Sequence, residues 1–373
     1  MRILQVYPEI MKGDAISSIV MALHRINEDA GHSDSIMAHS SELQGVMLAA
    51  GAPQRYSKSQ LAKKFLASPQ KRRLLHAYLA QRKAAKGQPS ADPKAACAQV
   101  DMRIWHLGIT YSLMEENIRP HDVVFFYGLN YPYLSSSPEA IIGTYGTLLW
   151  LRAMQPYMIV ESESVRRELL RLGYSGSEIT ILPLFHPYAL PYTEHQADKP
   201  RLLAYGRYAM NKRIPEIASK CSQAHIQFTA FGDNSKYHEF VKEFERASRY
   251  RSDGIRLYGK AADREPYYND ANIYICNSEN EGFNMGVVES MAHSLPILVR
   301  RGTAAEELVR NGEDGYLFSD IDEISELADA IMRDYSRFGR NAWERSQEFT
   351  LGKFKDRYLS ILDRYKEERG IKE

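Results

Sequence analysis

The pattern of apolar and polar residues predicts short buried strands that alternate with loops and helices. Apolar runs rich in β-branched or aromatic residues lie at positions 3–7, 122–127, 202–205 and 273–276. Where a helix follows, apolar residues recur at its three- to four-residue spacing, as at Ile16, Ile19, Val20 and Leu23. Strands that alternate with helices predict parallel sheets covered by helices, so we expect the α/β, doubly wound fold class.

The most informative stretch is NSENEGFNMGVVESMAHSLPILV, residues 277–299. A buried strand at 273–276 precedes it, and a polar loop at 278–283 opens it. Apolar residues then recur at helical spacing at Met285, Val288, Met291 and Ala292, before a second β-branched run. This βαβ pattern places the loop at the carboxyl end of a parallel strand, where doubly wound sheets bind ligands.

Two carboxylates flank the predicted start of this helix. Glu281 lies in the loop and Glu289 lies eight residues on, while the amides of Asn284, Met285 and Gly286 form the helix N-terminus. Unpaired amides and the helix dipole favour a phosphate group there. Carboxylates beside an anion site suit a ligand whose hydroxyls flank its phosphates. A nucleotide sugar, with a diphosphate between a ribose and a hexose, has that shape.

The segment EGFNMGVVESMAHSLPILV resembles the E-x7-E signature of retaining glycosyltransferases of family 4, which have the GT-B fold. Glu281 and Glu289 occupy its two acidic positions, and Phe283 completes its EGF tripeptide. Asn284 and Ser294 stand where the family commonly has glycine or, at the first position, proline. The resemblance implies two Rossmann-like domains facing across a cleft. It also implies that Glu281 orients the donor sugar and Glu289 holds the ribose.

A second motif of the same family follows the strand at 202–205. Gly206, Arg207 and Lys212 match G-R-x4-K, which holds the donor diphosphate in similar enzymes. Two cations at a strand terminus also suit the charge that grows on a leaving phosphate. Tyr258, at a later strand end, resembles the edge that binds the nucleotide base.

The N-terminal part resembles the family less closely. Gly13 and Asp14 lie in the first strand-to-helix loop, where similar transferases place a glycine facing the donor phosphates. Near the reacting sugar the family commonly has a histidine, but Tyr127 and Gly128 occupy that place here. The sequence therefore leaves open whether a general base replaces it.

Length and resemblance together predict the domain boundaries. A chain of 373 residues suits two domains. We expect an N-terminal acceptor domain at 1–185, a proline-containing linker at 186–199 and a donor domain at 200–345. Residues 346–373 are expected to form a helix that returns toward the first domain.

Composition excludes several classes of protein. With 48 Lys and Arg against 47 Asp and Glu, the net charge of +1 does not favour nucleic acid. The three cysteines are widely spaced and predict neither a disulfide framework nor a metal site. Asp320 and Asp322 form a D-x-D pair, but they lie at a predicted helix start, where aspartate is a good N-cap. We expect no cofactor and no required metal.

The chain begins without a signal-peptide pattern and has no apolar window long enough to span a bilayer, so we expect a cytoplasmic protein. A basic segment at 55–86 lies in a longer region without acidic residues. It fits either an anionic membrane surface on the inner face, bound peripherally, or a solvated helix face.

The predicted function is retaining transfer of a hexose from a UDP- or GDP-linked donor to a hydroxyl of a glycan or lipid-linked acceptor, in polysaccharide or glycolipid synthesis. One alternative is another GT-B enzyme, a nucleotide-sugar epimerase or a phosphorylase. The other is a nucleotide-sugar binding protein without catalysis. Product analysis with and without an acceptor separates these enzymes, because an epimerase needs no acceptor.

Overall fold

The computed structural model describes most of the chain outside one long N-terminal gap. It describes residues 1–7, 9–10, 15–38, 40–41, 46–49, 90–107, 117–120, 122–128, 138–195, 198–232, 254–261 and 263–371. The basic segment at 55–86 and the predicted ligands Gly13 and Asp14 lie outside these residues.

The first part of the chain builds a parallel sheet of eight described strands. Its order is β10-β9-β8-β7-β1-β3-β5-β6, and β2 pairs with β4 beside it. In chain order the strands are β1 Arg2–Val6, β2 Glu9–Ile10, β3 Ser33–Ala38, β4 Ser40–Ser41, β5 Met47–Ala49, β6 Ser90–Ala91, β7 Met102–Leu107, β8 Val123–Phe126, β9 Tyr157–Val160 and β10 Ile179–Ile181.

The second part builds a parallel sheet of six described strands in the order β13-β12-β11-β14-β15-β16. The order reverses between β11 and β14, which pair through Leu202 with Ile273 and Leu203 with Tyr274. A crevice opens at such a switch point, outside the carboxyl ends of the strands. The strands are β11 Arg201–Tyr205, β12 Gln227–Phe231, β13 Ile255–Tyr258, β14 Ile273–Cys276, β15 Ile297–Arg300 and β16 Gly315–Phe318.

Helices connect the strands, so the predicted fold class is confirmed. The described helices are α1 Ala15–Asp29, α2 Pro93–Ala98, α3 Pro138–Ala153, α4 Glu163–Arg171, α5 Ile214–Gln223, α6 Glu265–Asp270, α7 Met285–Ala292, α8 Ile324–Met332, α9 Tyr335–Ser346 and α10 Leu351–Arg369. Among the described helices, none combines the length and the apolar character that crossing a membrane requires.

The last helix, α10, packs against the first sheet. Its Phe354 ring lies 4.7 Å from the ring of Phe185, and Tyr365 contacts Tyr157 of β9 edge-on at 6.1 Å. The side chain of Arg364 also donates hydrogen bonds to the hydroxyls of Tyr157 and Thr180. The end of the chain therefore contacts the sheet with which it began, whereas the predicted domain boundaries stay predictions.

Two smaller expectations are settled by local geometry. Asp320 caps a 3-10 turn, Ile321–Glu323, in a capping box with Glu323. The D-x-D pair is therefore a helix-start feature, as predicted. Asn284 and Ser294 both adopt positive φ, +87° and +62°. Glycine is the usual residue in that region of φ, which explains why a family with this fold would have it there.

Candidate active site

The candidate site lies at the carboxyl ends of β11 and β14, at the switch point of the second sheet. Lys212 ends a 3-10 turn after β11, and Glu281 lies in the loop between β14 and α7. The two side chains form an ion pair through Glu281 Oε1, to which Asn284 Nδ2 also donates at 3.1 Å. Their side chains are only 19% and 8% exposed. The fold thus brings together two predicted residues that are 69 positions apart.

Both described donors to Glu281 therefore use the same oxygen. The carboxylate is held in one orientation, and its Oε2 accepts no hydrogen bond from another described residue. A carboxylate fixed in this way can accept hydrogen bonds from ligand hydroxyls through its second oxygen.

Glu289 is buried in the second turn of α7 and is held in the same manner. Its Oε2 accepts hydrogen bonds from the Tyr205 hydroxyl, from Arg264 at 3.1 Å and from the Tyr268 hydroxyl at 3.3 Å. Burial raises the pKa of this carboxyl, while the hydrogen bonds from Tyr205 and Tyr268 and the Arg264 charge lower it. All three of these hydrogen bonds go to Oε2, and no described residue donates to Oε1.

The start of α7 is shaped by Asn284, its N-cap. The Asn284 side-chain oxygen accepts a hydrogen bond from the Val287 amide at 3.2 Å, so the cap satisfies one of the amides of the first turn. The amides of Met285 and Gly286, at the first two helical positions, stay nearest the predicted phosphate position. Asn284 therefore contributes its side chain to the cap and to Glu281.

Packing, as well as the predicted function, explains why position 286 is a glycine. A Cβ at this position would lie 2.2 Å from the hydroxyl oxygen of Tyr274, which is buried in β14. The glycine therefore lets α7 sit directly on the strand that precedes it.

The two residues that follow β11, Gly206 and Arg207, differ in their contacts. Gly206 has a φ of +143° and its amide donates to the Phe231 carbonyl at 3.1 Å, which ties the ends of β11 and β12 together. Arg207 is exposed, and its side chain makes no hydrogen bond or ion pair with a described residue. Of the two predicted cations, only Lys212 is held in the site.

Tyr258 lies at the end of an aromatic row along the carboxyl edge of the sheet. It is 42% exposed, and its ring lies 5.2 Å from that of Tyr267. Tyr267 stacks on Phe231 at 4.5 Å, and Phe231 stacks on Tyr205 at 5.1 Å. The row runs from the exposed edge to the residue that binds Glu289.

Phe283 is 3% exposed, and its ring contacts Phe349 at 5.8 Å. The side chain thus belongs to the core, and any ligand contact at this residue would fall to its main chain.

The sequence prediction missed the three residues that hold Glu289. Tyr205 ends a predicted strand and directly precedes Gly206, which is the one signal that could have indicated it. Arg264 lies directly before α6 and Tyr268 lies within it, in a segment without a motif. Of these three residues, Tyr205 also lines a small pocket, together with Ala204, Lys212, Ile214, Tyr274, Ile275, Cys276, Asn277, Ser278 and Asn284.

Solved structures share the whole architecture. Sucrose-phosphate synthase from Thermosynechococcus elongatus superposes with a TM-score of 0.67 at 17% identity, covering 97% of this chain and 98% of that one. HepE from Anabaena in complex with UDP-glucose superposes with a TM-score of 0.66 at 14% identity, covering 97% and 99%. The chain therefore has the GT-B fold.

Sequence comparisons point to the same class. Residues 199–336, which include the candidate site, match the family model for Glycosyl transferases group 1. The lipopolysaccharide core biosynthesis glycosyltransferase LpsE of Rhizobium meliloti (strain 1021) is 23% identical over 177 residues, 44% of this chain and 50% of that protein. Alpha-monoglucosyldiacylglycerol synthase of Acholeplasma laidlawii is 27% identical over 190 residues, 44% and 46%. The matches thus span half or less of these curated relatives.

Proposed function

We propose that the protein is a retaining glycosyltransferase that moves a hexose from a nucleotide diphosphate sugar to a hydroxyl of a glycan or lipid-linked acceptor. One observation carries the proposal. Glu281 and Glu289, eight residues apart, are each held through one oxygen, Glu281 by Lys212 before the start of α7 and Glu289 by Tyr205 within that helix.

Glu281 binds the hydroxyls of the donor sugar through Oε2. In the unliganded site Lys212 neutralises Glu281, and a donor diphosphate shares that lysine when it binds. As the bond between the anomeric carbon and the phosphate oxygen breaks, its electron pair stays on the diphosphate. Lys212, the amides of Met285 and Gly286, and Arg207 swung in from the surface stabilise that charge.

Glu289 holds the ribose through Oε1, and the base lies along the aromatic row that ends at Tyr258. The acceptor oxygen then bonds to the anomeric carbon on the face that the diphosphate leaves. The departing phosphate oxygen takes the proton of the acceptor hydroxyl. In this scheme the lysine, the arginine and the amides serve the role that a divalent cation serves elsewhere, so no metal is required.

The relatives support a choice of first substrates. HepE was solved with UDP-glucose, and the named functions of LpsE and of the Acholeplasma synthase concern lipopolysaccharide core and a glycosyldiacylglycerol. We therefore propose a UDP- or GDP-linked hexose as donor, with UDP-glucose tested first, and cell-surface polysaccharide or glycolipid as product.

The test begins with thermal unfolding in a panel of UDP- and GDP-linked sugars, because a ligand that binds the folded state raises its apparent stability. The stabilising donor is then offered with glycan and glycolipid acceptors, with and without EDTA, and NMR reads the anomeric configuration of the product. Stabilisation by one donor, retention and insensitivity to EDTA are expected.

Two variants test the assigned site. Glu281→Gln should lower transfer at least a hundredfold, about 3 kcal/mol of transition-state stabilisation. Glu279→Gln is the matched control, because that exposed side chain lies two residues away and pairs with Arg213. Near-normal transfer by Glu281→Gln would refute its role. Conversion of the donor without an acceptor would instead indicate an epimerase, and binding without any conversion a binding protein.

A further inference from the structure

Glu161 is a buried glutamate at the end of β9, in the part of the first sheet that faces the candidate site. It is 4% exposed. A Cβ added to Gly282, the residue after Glu281, would lie 1.8 Å from Glu161 Oε1 and 2.9 Å from the Tyr127 carbonyl oxygen. The Glu161 carboxyl therefore occupies the space that a side chain at position 282 would need.

The same contact involves the end of β8. A Cβ added to Gly128 would lie 3.2 Å from the Gly282 Cα and 3.7 Å from Glu161 Oε1. Two glycines, one from each side, thus let the first sheet touch the loop that carries Glu281. This is also where the sequence lacks the histidine expected from the family resemblance.

The surroundings of Glu161 disfavour its charge. Burial, and to a smaller extent the nearby Glu281 carboxylate, raise the pKa of this carboxyl to about 8. Lys212, which follows β11, is already paired with Glu281. Behind Tyr127, whose hydroxyl bonds to His106 at 2.8 Å, burial lowers the pKa of His106 to about 3, so that ring stays neutral above this pH.

The start of α4, which follows Glu161, gives its carboxylate little help. Its first amides, those of Glu163 and Ser164, donate to Glu307, in the 3-10 turn between β15 and β16, at 2.9 and 2.6 Å. The next amide, that of Val165, donates to Ser162 Oγ. Of the arginines in this helix, Arg167 lies 3.5 Å from the same Glu307 and Arg166 pairs with Glu163.

We propose that Glu161 is a positioning residue that holds the Glu281 loop against the first sheet while its carboxyl carries a proton. The effect on catalysis rests on the proposed function, because it acts through Glu281. The effect on closure of the cleft is independent of the proposed function. When the proton is lost, two carboxylates meet in the closed cleft, so closure becomes less favourable.

The sign follows from linkage. In an open cleft Glu161 is solvated and has an ordinary pKa of about 4.3. Closure therefore takes up a proton between that pH and about 8. The equilibrium constant for closure is largest below the lower value, falls about tenfold per pH unit in between and is level above the upper value.

The experiment measures the distance between the two sheets in the full chain, which needs no substrate. Spin labels at Leu149→Cys in α3 and Glu326→Cys in α8 report the distance from pH 5 to 9. Both positions are exposed and the three native cysteines are buried. The closed fraction of the wild type should fall as pH rises to about 8, and Glu161→Gln should remove that dependence and exceed the wild type at pH 8.

Glu163→Gln is the matched control, since this acid two residues later in the chain is 43% exposed and pairs with Arg166. It should behave as the wild type does. If Glu161→Gln fails to fold, Gly282→Ala keeps the carboxyl but prevents the contact, and it should hold the cleft open at every pH. The proposal is overturned if the wild type shows no pH dependence. It is also overturned if Glu161→Gln or Gly282→Ala shows the same pH dependence as the wild type. A failed search for a sugar donor would leave this result unaffected.

Discussion

At the residue scale, the site consists of charged groups that hold one another in place. Lys212 and Glu281 were assigned separate ligands from the sequence, but in the structure they form a mostly buried ion pair. Removing one member of such a pair leaves the other charge uncompensated, which costs more than removing both.

Lys212→Met and Glu281→Gln should therefore be strongly non-additive. In urea unfolding of the unliganded protein we expect a coupling energy of about 1–3 kcal/mol between them. Arg256 and Asp270 are the matched control, because both members of this pair are more than half exposed. Their coupling should stay below about 1 kcal/mol. Additive costs at Lys212 and Glu281 would show that the pair is not formed in solution.

At the element scale, the packing and capping of two helix starts, those of α7 and α4, fix the positions of the loops that precede them. α7 begins at an asparagine with positive φ and rests on Tyr274 through Gly286. α4 is capped by Glu307, which lies in the 3-10 turn Ala304–Leu308 between β15 and β16. Both features join the site to the surrounding packing.

Gly286→Ala should destabilise the protein by about 1–3 kcal/mol, because its Cβ meets the Tyr274 hydroxyl in a closely packed layer. Gly146→Ala is the control: this helical glycine has nothing within 4 Å of an added Cβ, and alanine should stabilise its helix by roughly 0.5–1 kcal/mol. Chemical denaturation measures both. If the two substitutions had the same sign, the packing explanation would fail.

At the scale of the whole molecule, α10 joins the end of the chain to its first sheet. Phe354 and Tyr358 are buried in a core cluster that includes residues of both sheets, such as Ile159 of β9 and Cys276 of β14. The loss of one large side chain from this cluster should therefore lower the stability of the entire protein.

Phe354→Ala should cost about 3–5 kcal/mol in the free energy of unfolding. Leu351→Ala, three residues earlier on the same helix, should cost well under 1 kcal/mol, since Leu351 is 44% exposed. Thermal unfolding monitored by circular dichroism distinguishes the two outcomes. Similar losses for both variants would mean that α10 does not pack as described.

Much of the fold could be predicted from the sequence, because a buried parallel strand is a continuous apolar run. The strand Ile273–Cys276 begins and ends where the pattern places it, and the strand Ile255–Tyr258 ends at the predicted residue, Tyr258. Elsewhere the observed strand ends differ from the predicted ones by a residue, as at Val123–Phe126. A residue at the end of a strand can belong either to the strand or to the neighbouring loop.

The site was predictable only where residues lie in one motif. Glu281 and Glu289 share a helix start, so spacing alone brings them to one edge of the sheet. Arg264 and Tyr268 reach Glu289 from a different helix, and no local pattern records that contact. Phe283 shows the reverse: it lies inside the motif, yet its ring is buried in the core.

The sequence by itself determined the class of fold, the strand-loop-helix unit and the identity of its acids and amides, because periodicity and helix-start chemistry are local. Only the tertiary structure decided which oxygen of each glutamate is held, that Lys212 and not Arg207 enters the site, and that Glu161 faces Gly282. These depend on contacts between residues far apart in the chain, which form when the two sheets come together.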